Sequence, residues 1–182
     1  MYHKYTTKDI GEFDSRDIFF DANILIYLFW ATGKEQRHLE NKYATIYSEI
    51  LKKGLSKYVN FVVLSEVVNR TLRISWEEYL DIKSLSKSEL SFKKFRNSKK
   101  GIKAQKEIAT IINEIIFGDF EVIEDFFSKS DIADFLNIET LDFSDKAILK
   151  TCSQHDYILL THDSDYFDSE IDILTCNSRI QY

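Results

Sequence analysis

Four acidic residues of this 182-residue chain stand at places where chemistry is commonly done. Asp21, with Asn23, follows one short apolar run; Glu66 follows a second; Asp145 opens a late amphipathic segment; and Asp163, with Asp165, follows the run Tyr157–Thr161. Carboxylates gathered within contact distance repel one another and raise each other's pKa unless a cation neutralises them. A hard divalent ion suits such a set, because Mg²⁺ or Mn²⁺ prefers carboxylate oxygen and keeps water molecules that can act as nucleophile. Zinc is not indicated, since His3, His38, His155 and His162 are scattered without zinc-ligand spacing. Each acid also has an ordinary structural reading. Asp21 can cap a helix, Asp142 and Asp145 have capping-box spacing, Glu66 suits the positive end of a helix dipole, and Asp163 and Asp165 suit a turn.

These residues converge only if particular elements carry them. Asp17–Asp21 reads as a buried strand, and Leu39, Tyr43, Ile46, Tyr47 and Ile50 recur at helical spacing. Tyr58–Val63 reads as a second strand and Leu64–Leu80 as a helix, with Ser65 as its cap. Ile102–Phe117 returns to helix, with Ile108, Ile111, Ile112, Ile115 and Ile116 on its buried side. Phe120–Ile123, Tyr157–Thr161 and Ile171–Thr175 complete the strands, and Asp142–Gln154 is a further helix. Strands alternating with helices predict βαβ units and a parallel sheet covered on both faces, an α/β/α arrangement. In such sheets ligands bind beyond the carboxyl ends of the strands, where the acids stand.

Composition and charge bound the rest. The chain reads as a single domain over 1–182, punctuated by Gly11, Gly33, Gly54, Gly101 and Gly118 and free of proline. No apolar run reaches the roughly 20 residues of a membrane span, and no secretory signal is visible, so a cytoplasmic protein is expected. Cys152 and Cys176 read as free thiols. The net charge is −6, yet 82–106 carries nine basic residues against Glu89 alone, +8, which leaves −14 for the remainder. This basic, helical insertion is the expected hold on a polyanion, through Lys93, Lys94, Arg96, Lys99 and Lys100. Phe92 and Phe95 would either stack on unpaired bases or pack one helical face against the body.

Phe19-Phe20-Asp21-Ala22-Asn23-Ile24-Leu25-Ile26-Tyr27 resembles the opening motif of PIN domains. Leu64-Ser65-Glu66-Val67-Val68, Ser144-Asp145-Lys146-Ala147-Ile148-Leu149 and Leu159-Leu160-Thr161-His162-Asp163-Ser164-Asp165-Tyr166 resemble the three that follow it, in order. The resemblance implies a five-stranded parallel sheet of order 3-2-1-4-5 and a metal-dependent nuclease like the VapC-type toxins of toxin–antitoxin pairs. It carries the catalytic and metal-holding roles to Asp21, Glu66, Asp145 and Asp163, with Asn23, Thr161 and Asp165 in support. The expected activity is Mg²⁺- or Mn²⁺-dependent cleavage of single-stranded or structured RNA. The chain is longer than compact toxins of this type, and the extra length lies in the basic stretch, which could serve RNA, a cognate antitoxin or a second copy of the chain. Two other readings stay open: a non-catalytic RNA-binding or protein-interaction module, and a structure-selective DNA nuclease.

Overall fold

The computed structural model describes residues 2–13, 16–30 and 37–180; Gly33 lies outside them. Its strands are Lys4–Tyr5 (β1), Ile18–Phe20 (β2), Lys57–Asn60 (β3), Glu121–Ile123 (β4), Ile158–Leu160 (β5) and Ile173–Leu174 (β6). The helices are Ala22–Phe29 (α1), Arg37–Lys53 (α2), Phe61–Lys83 (α3), Phe92–Arg96 (α4), Lys99–Ile111 (α5), Phe117–Asp119 (α6), Lys129–Phe135 (α7) and Phe143–His155 (α8), with a π turn over Ile112–Ile116.

All pairings are parallel, and the strands form a single sheet in the order β1-β6-β5-β2-β3-β4, flanked by helices. This is an α/β fold consistent with three layers. The expected five strands in order 3-2-1-4-5 are corrected to six, because Lys4–Tyr5 adds an edge strand beside β6. Counted from β2, the other five keep that sequence. β2 and β5 lie side by side in the middle, and every residue of both is buried, as expected of strands covered on two faces.

The second strand is shorter than the sequence suggests. Phe61–Val63 belongs to α3, and Asn60, not Ser65, caps that helix, its Oδ1 accepting from Val63 N at 2.9 Å. A run of β-branched apolar residues reads alike in a buried strand and a buried helix, and the cap decides between them. On the α5 side, Ile115 is exposed instead of buried, because the π turn shifts the phase of the helical face.

Two apolar clusters hold the fold. The main one surrounds the sheet and includes Phe19, Phe20, Leu25, Tyr43, Ile148 and Tyr166. A smaller one joins the later turns of α3 to α4 and α5 through Leu72, Trp76, Leu80, Phe95, Ala104 and Ile108. Phe95 is only 2% exposed, and Phe92 is half-buried with its ring 5.6 Å from that of Trp76. Both therefore pack the basic segment onto α3 and are not free to stack on bases. Cys152 and Cys176 are free thiols. Among the described residues no helix is long and apolar enough to cross a membrane.

Candidate active site

Asp21 is the first residue beyond β2, and its N–H still donates across the sheet to Leu160 O at 3.1 Å. The carboxylate is 4% exposed and caps α1: Oδ1 accepts from Ala22 N at 2.6 Å. Its Oδ2 accepts from Thr161 Oγ1 and from Asn23 Nδ2, each at 2.5 Å. Thr161 is the residue after β5, so two adjacent central strands deliver the acid and its hydroxyl partner to one carboxyl edge. Asn23 Oδ1 accepts from His162 N at 3.2 Å, which ties the loop after β5 to α1. The sequence-derived helpers Asn23 and Thr161 are thus in direct contact with Asp21. Asp165 is not: it is exposed, and its backbone N–H donates to Asp163 Oδ1 at 3.0 Å.

The other acids approach Asp21 from two helices and a loop. Burial raises the Asp21 carboxyl to about 7; the Thr161 and Ala22 hydrogen bonds oppose the rise, and the charges of Glu66 and Asp145 add to it. Burial likewise lifts Asp145 to about 6, against a hydrogen bond from Tyr166 and with help from the charges of Asp142 and Asp163. The four acids therefore form a chain of electrostatic neighbours, from Glu66 to Asp21, Asp145 and Asp163. They are also engaged locally. Asp142 and Asp145 make a reciprocal capping box on α8, Asp163 caps the short 3₁₀ turn Ser164–Tyr166, and Glu66 Oε1 accepts from Arg70 Nη1 at 2.9 Å. Each acid is thus held in a cap or an ion pair, while the charges of Glu66 and Asp145 act on Asp21 and that of Asp163 on Asp145.

Three supporting residues escaped the sequence reading. Tyr166, fully buried, donates from its hydroxyl to Asp145 Oδ1 at 3.0 Å and so holds α8 to the loop after β5. Tyr43, also fully buried, donates to Thr161 O at 3.2 Å, lies 2.8 Å from His162 Nδ1 and accepts from Cys176 N at 3.2 Å. Asp125 accepts from Asn60 Nδ2 and from Thr151 Oγ1, each at 2.7 Å, and so ties the cap of α3 to α8. A tyrosine at helical spacing is read as core, and only the fold shows where its hydroxyl goes. Asp125 alone had a signal, standing two residues beyond a strand, much as Asp163 stands three beyond β5.

The donor set suits an oxygen-seeking divalent cation in kind, with four carboxylates, an amide and a hydroxyl at one sheet edge. The geometry is not a closed cage. Among the described residues, no three His, Cys, Asp or Glu side chains are grouped so that they could hold a metal ion. Comparison with protein-family models finds no match to this chain, and comparison with curated proteins finds none.

Proposed function

We propose that the chain is a PIN-type endoribonuclease that depends on Mg²⁺ or Mn²⁺ and hydrolyses phosphodiester bonds of RNA. The observation that carries this reading is Asp21. A carboxylate buried at the carboxyl end of a central strand, raised to about 7 by burial and by the nearby charges of Glu66 and Asp145, is stabilised in its ionised form by a cation. Such an ion supplies an activated water and stabilises charge on phosphate oxygens. The chain's own residues do the rest. Thr161 and Asn23 orient the Asp21 carboxylate, Tyr166 orients Asp145, and Glu66 is held by Arg70. In this reading the cytoplasm is the compartment, and a small antitoxin-like gene beside this one would assign the toxin role.

A second reading has an observation in its favour. The Glu66–Arg70 ion pair and the open spacing of the acids suit a binding module without turnover. Incubating end-labelled RNA, and DNA of the same sequence, with the protein and Mn²⁺ separates the possibilities. The nuclease reading expects RNA cleavage that EDTA and Asp21→Asn each abolish, in a variant that stays folded. RNA that is retained but never cut gives the module reading, and preferential cutting of DNA gives the DNA nuclease.

A further inference from the structure

Beside the acids lies a cleft of about 360 Å³, at the small end of the roughly 300–1,000 Å³ typical of ligand sites. Tyr27, Arg70, His162, Asn177 and Arg179 line it, and Asp163 stands in its wall. Its charges come from places distant in sequence. Arg70 projects from α3, one turn beyond Glu66, while Arg179 arrives on the segment after β6. That segment is firmly seated. Asn177 Nδ2 donates to His162 O at 2.7 Å, Asn177 Oδ1 accepts from Arg179 N at 3.0 Å, and Ile180 is fully buried in the main core. Among the described residues, the Arg179 guanidinium has no hydrogen bond or ion pair, and that of Arg70 has Glu66 alone as its ion-pair partner. Guanidinium groups carry five N–H donors in a fork that matches phosphate oxygens. The Tyr27 ring is backed by Tyr43, with centroids 5.8 Å apart and planes 16° from parallel, so it is a stiff aromatic surface in the same cleft.

We propose that this cleft seats one nucleotide of a single strand, its phosphate held by Arg70 and Arg179 and its base against Tyr27. The inference rests on the nuclease reading and specifies how that site receives its substrate. The acids alone repel a polyanion, and two arginines beside them supply the attraction that brings a phosphodiester to their edge. An aromatic platform accepts any base, so the subsite favours unpaired strands over duplexes.

The test uses ¹⁵N-labelled full-length protein in EDTA, titrated with adenosine 5′-monophosphate, adenosine or inorganic phosphate and followed by amide chemical shifts. The nucleotide should bind saturably and shift the amides of Asn177 and Arg179. Adenosine and phosphate should each bind roughly tenfold more weakly or worse, the worth of one charge-assisted contact or one stacked base. Arg179→Glu, on an exposed side chain, should keep the fold and weaken the nucleotide by the same factor or more. The proposal is overturned if the nucleotide does not saturate, if Arg179→Glu binds it as tightly, or if phosphate alone binds equally well. Failure of the nuclease reading looks different. Arg179-dependent nucleotide binding in a protein that cuts no RNA keeps the cleft and removes the catalysis, whereas RNA cutting with Arg179-independent binding does the reverse.

Discussion

At the scale of single residues, Asp21 has the clearest consequences. Its folded-state pKa of about 7 lies above the ordinary 3.8, so the folded protein holds that proton more tightly than the unfolded chain does. Its contribution to stability is therefore full at low pH, falls as pH rises from about 4 through about 7, and is flat above. Asparagine cannot ionise and escapes this loss, though it forfeits about 1 kcal/mol because its amide cannot accept every hydrogen bond the carboxylate accepts. In metal-free buffer, Asp21→Asn should melt slightly below wild type at pH 4 and above it at pH 8, a swing of a few kcal/mol. A difference between the two that does not move with pH would refute the raised pKa. Adding Mn²⁺ at pH 8 should raise the melting temperature of wild type and leave the variant where it was, because an ion that binds only the folded state stabilises it by mass action. Tyr166→Phe makes a separate prediction for Asp145. The tyrosine hydroxyl lowers the Asp145 pKa in wild type, so its removal raises that pKa further. The acid limb of the cleavage-rate profile should then move to higher pH, at a stability cost of about 1 kcal/mol. An unmoved limb would mean that Asp145 does not set it.

At the scale of elements, what the sequence shows depends on whether the signal is local. β2 is legible because a run of β-forming residues ends at a polar one, and the acids after the strands are legible for the same reason. The edge strand Lys4–Tyr5 is not, since two residues become a strand only through partners near position 173. α4 and α7, of five and seven residues, are too short to show a period, and the first turn of α3 has the residue types of a strand. The site divides in the same way. Acid placement is local, whereas the meeting of Asp21 with Thr161, Asp145 with Tyr166 and Arg70 with the Arg179 segment is a product of the fold. Gly101 tests how tightly one such junction is built. Alanine normally favours a helix interior over glycine by about 1 kcal/mol. Here a Cβ would stand 2.1 Å from Phe95 O and 2.8 Å from the Cα of Arg96, both backbone atoms that cannot swing aside. Gly101→Ala should therefore destabilise by on the order of 2 kcal/mol instead of stabilising. Hydrogen exchange should report the loss in α4 and α5 first, with the sheet protected; a neutral or stabilised variant would show that the α4–α5 corner yields easily.

At the scale of the whole molecule, charge is separated along one helix. α3 carries Glu66 and Arg70 near the acids, while its later turns hold the basic segment through Trp76, whose Nε1 donates to Leu90 O at 3.0 Å. At 1.5 Å per residue, Trp76 lies about 15 Å along α3 from Glu66. Arg73 falls between, its guanidinium 4.7 Å from the Phe92 ring. Two cations thus mark the way from the cleft to the segment. Lys93, Lys94, Arg96, Lys99 and Lys100 are exposed, and among the described residues none of them enters an ion pair. Their charge is open to solvent and to any partner that reaches the segment. If that is the backbone of a bound RNA, reversing all five should weaken binding and flatten its salt dependence, by roughly 0.7 in the log–log slope for each phosphate of a single strand that is no longer neutralised. Cleavage at saturating RNA should fall far less, because these side chains position the strand and stand apart from the acids. Were the segment instead the seat of an acidic protein or a second copy, the slope would stay as it is while the complex or dimer came apart. Measuring affinity at several salt concentrations together with solution mass, on this single variant, decides between them: an unchanged slope removes the segment from RNA binding and leaves the cleft beside Tyr27 to supply what attraction there is.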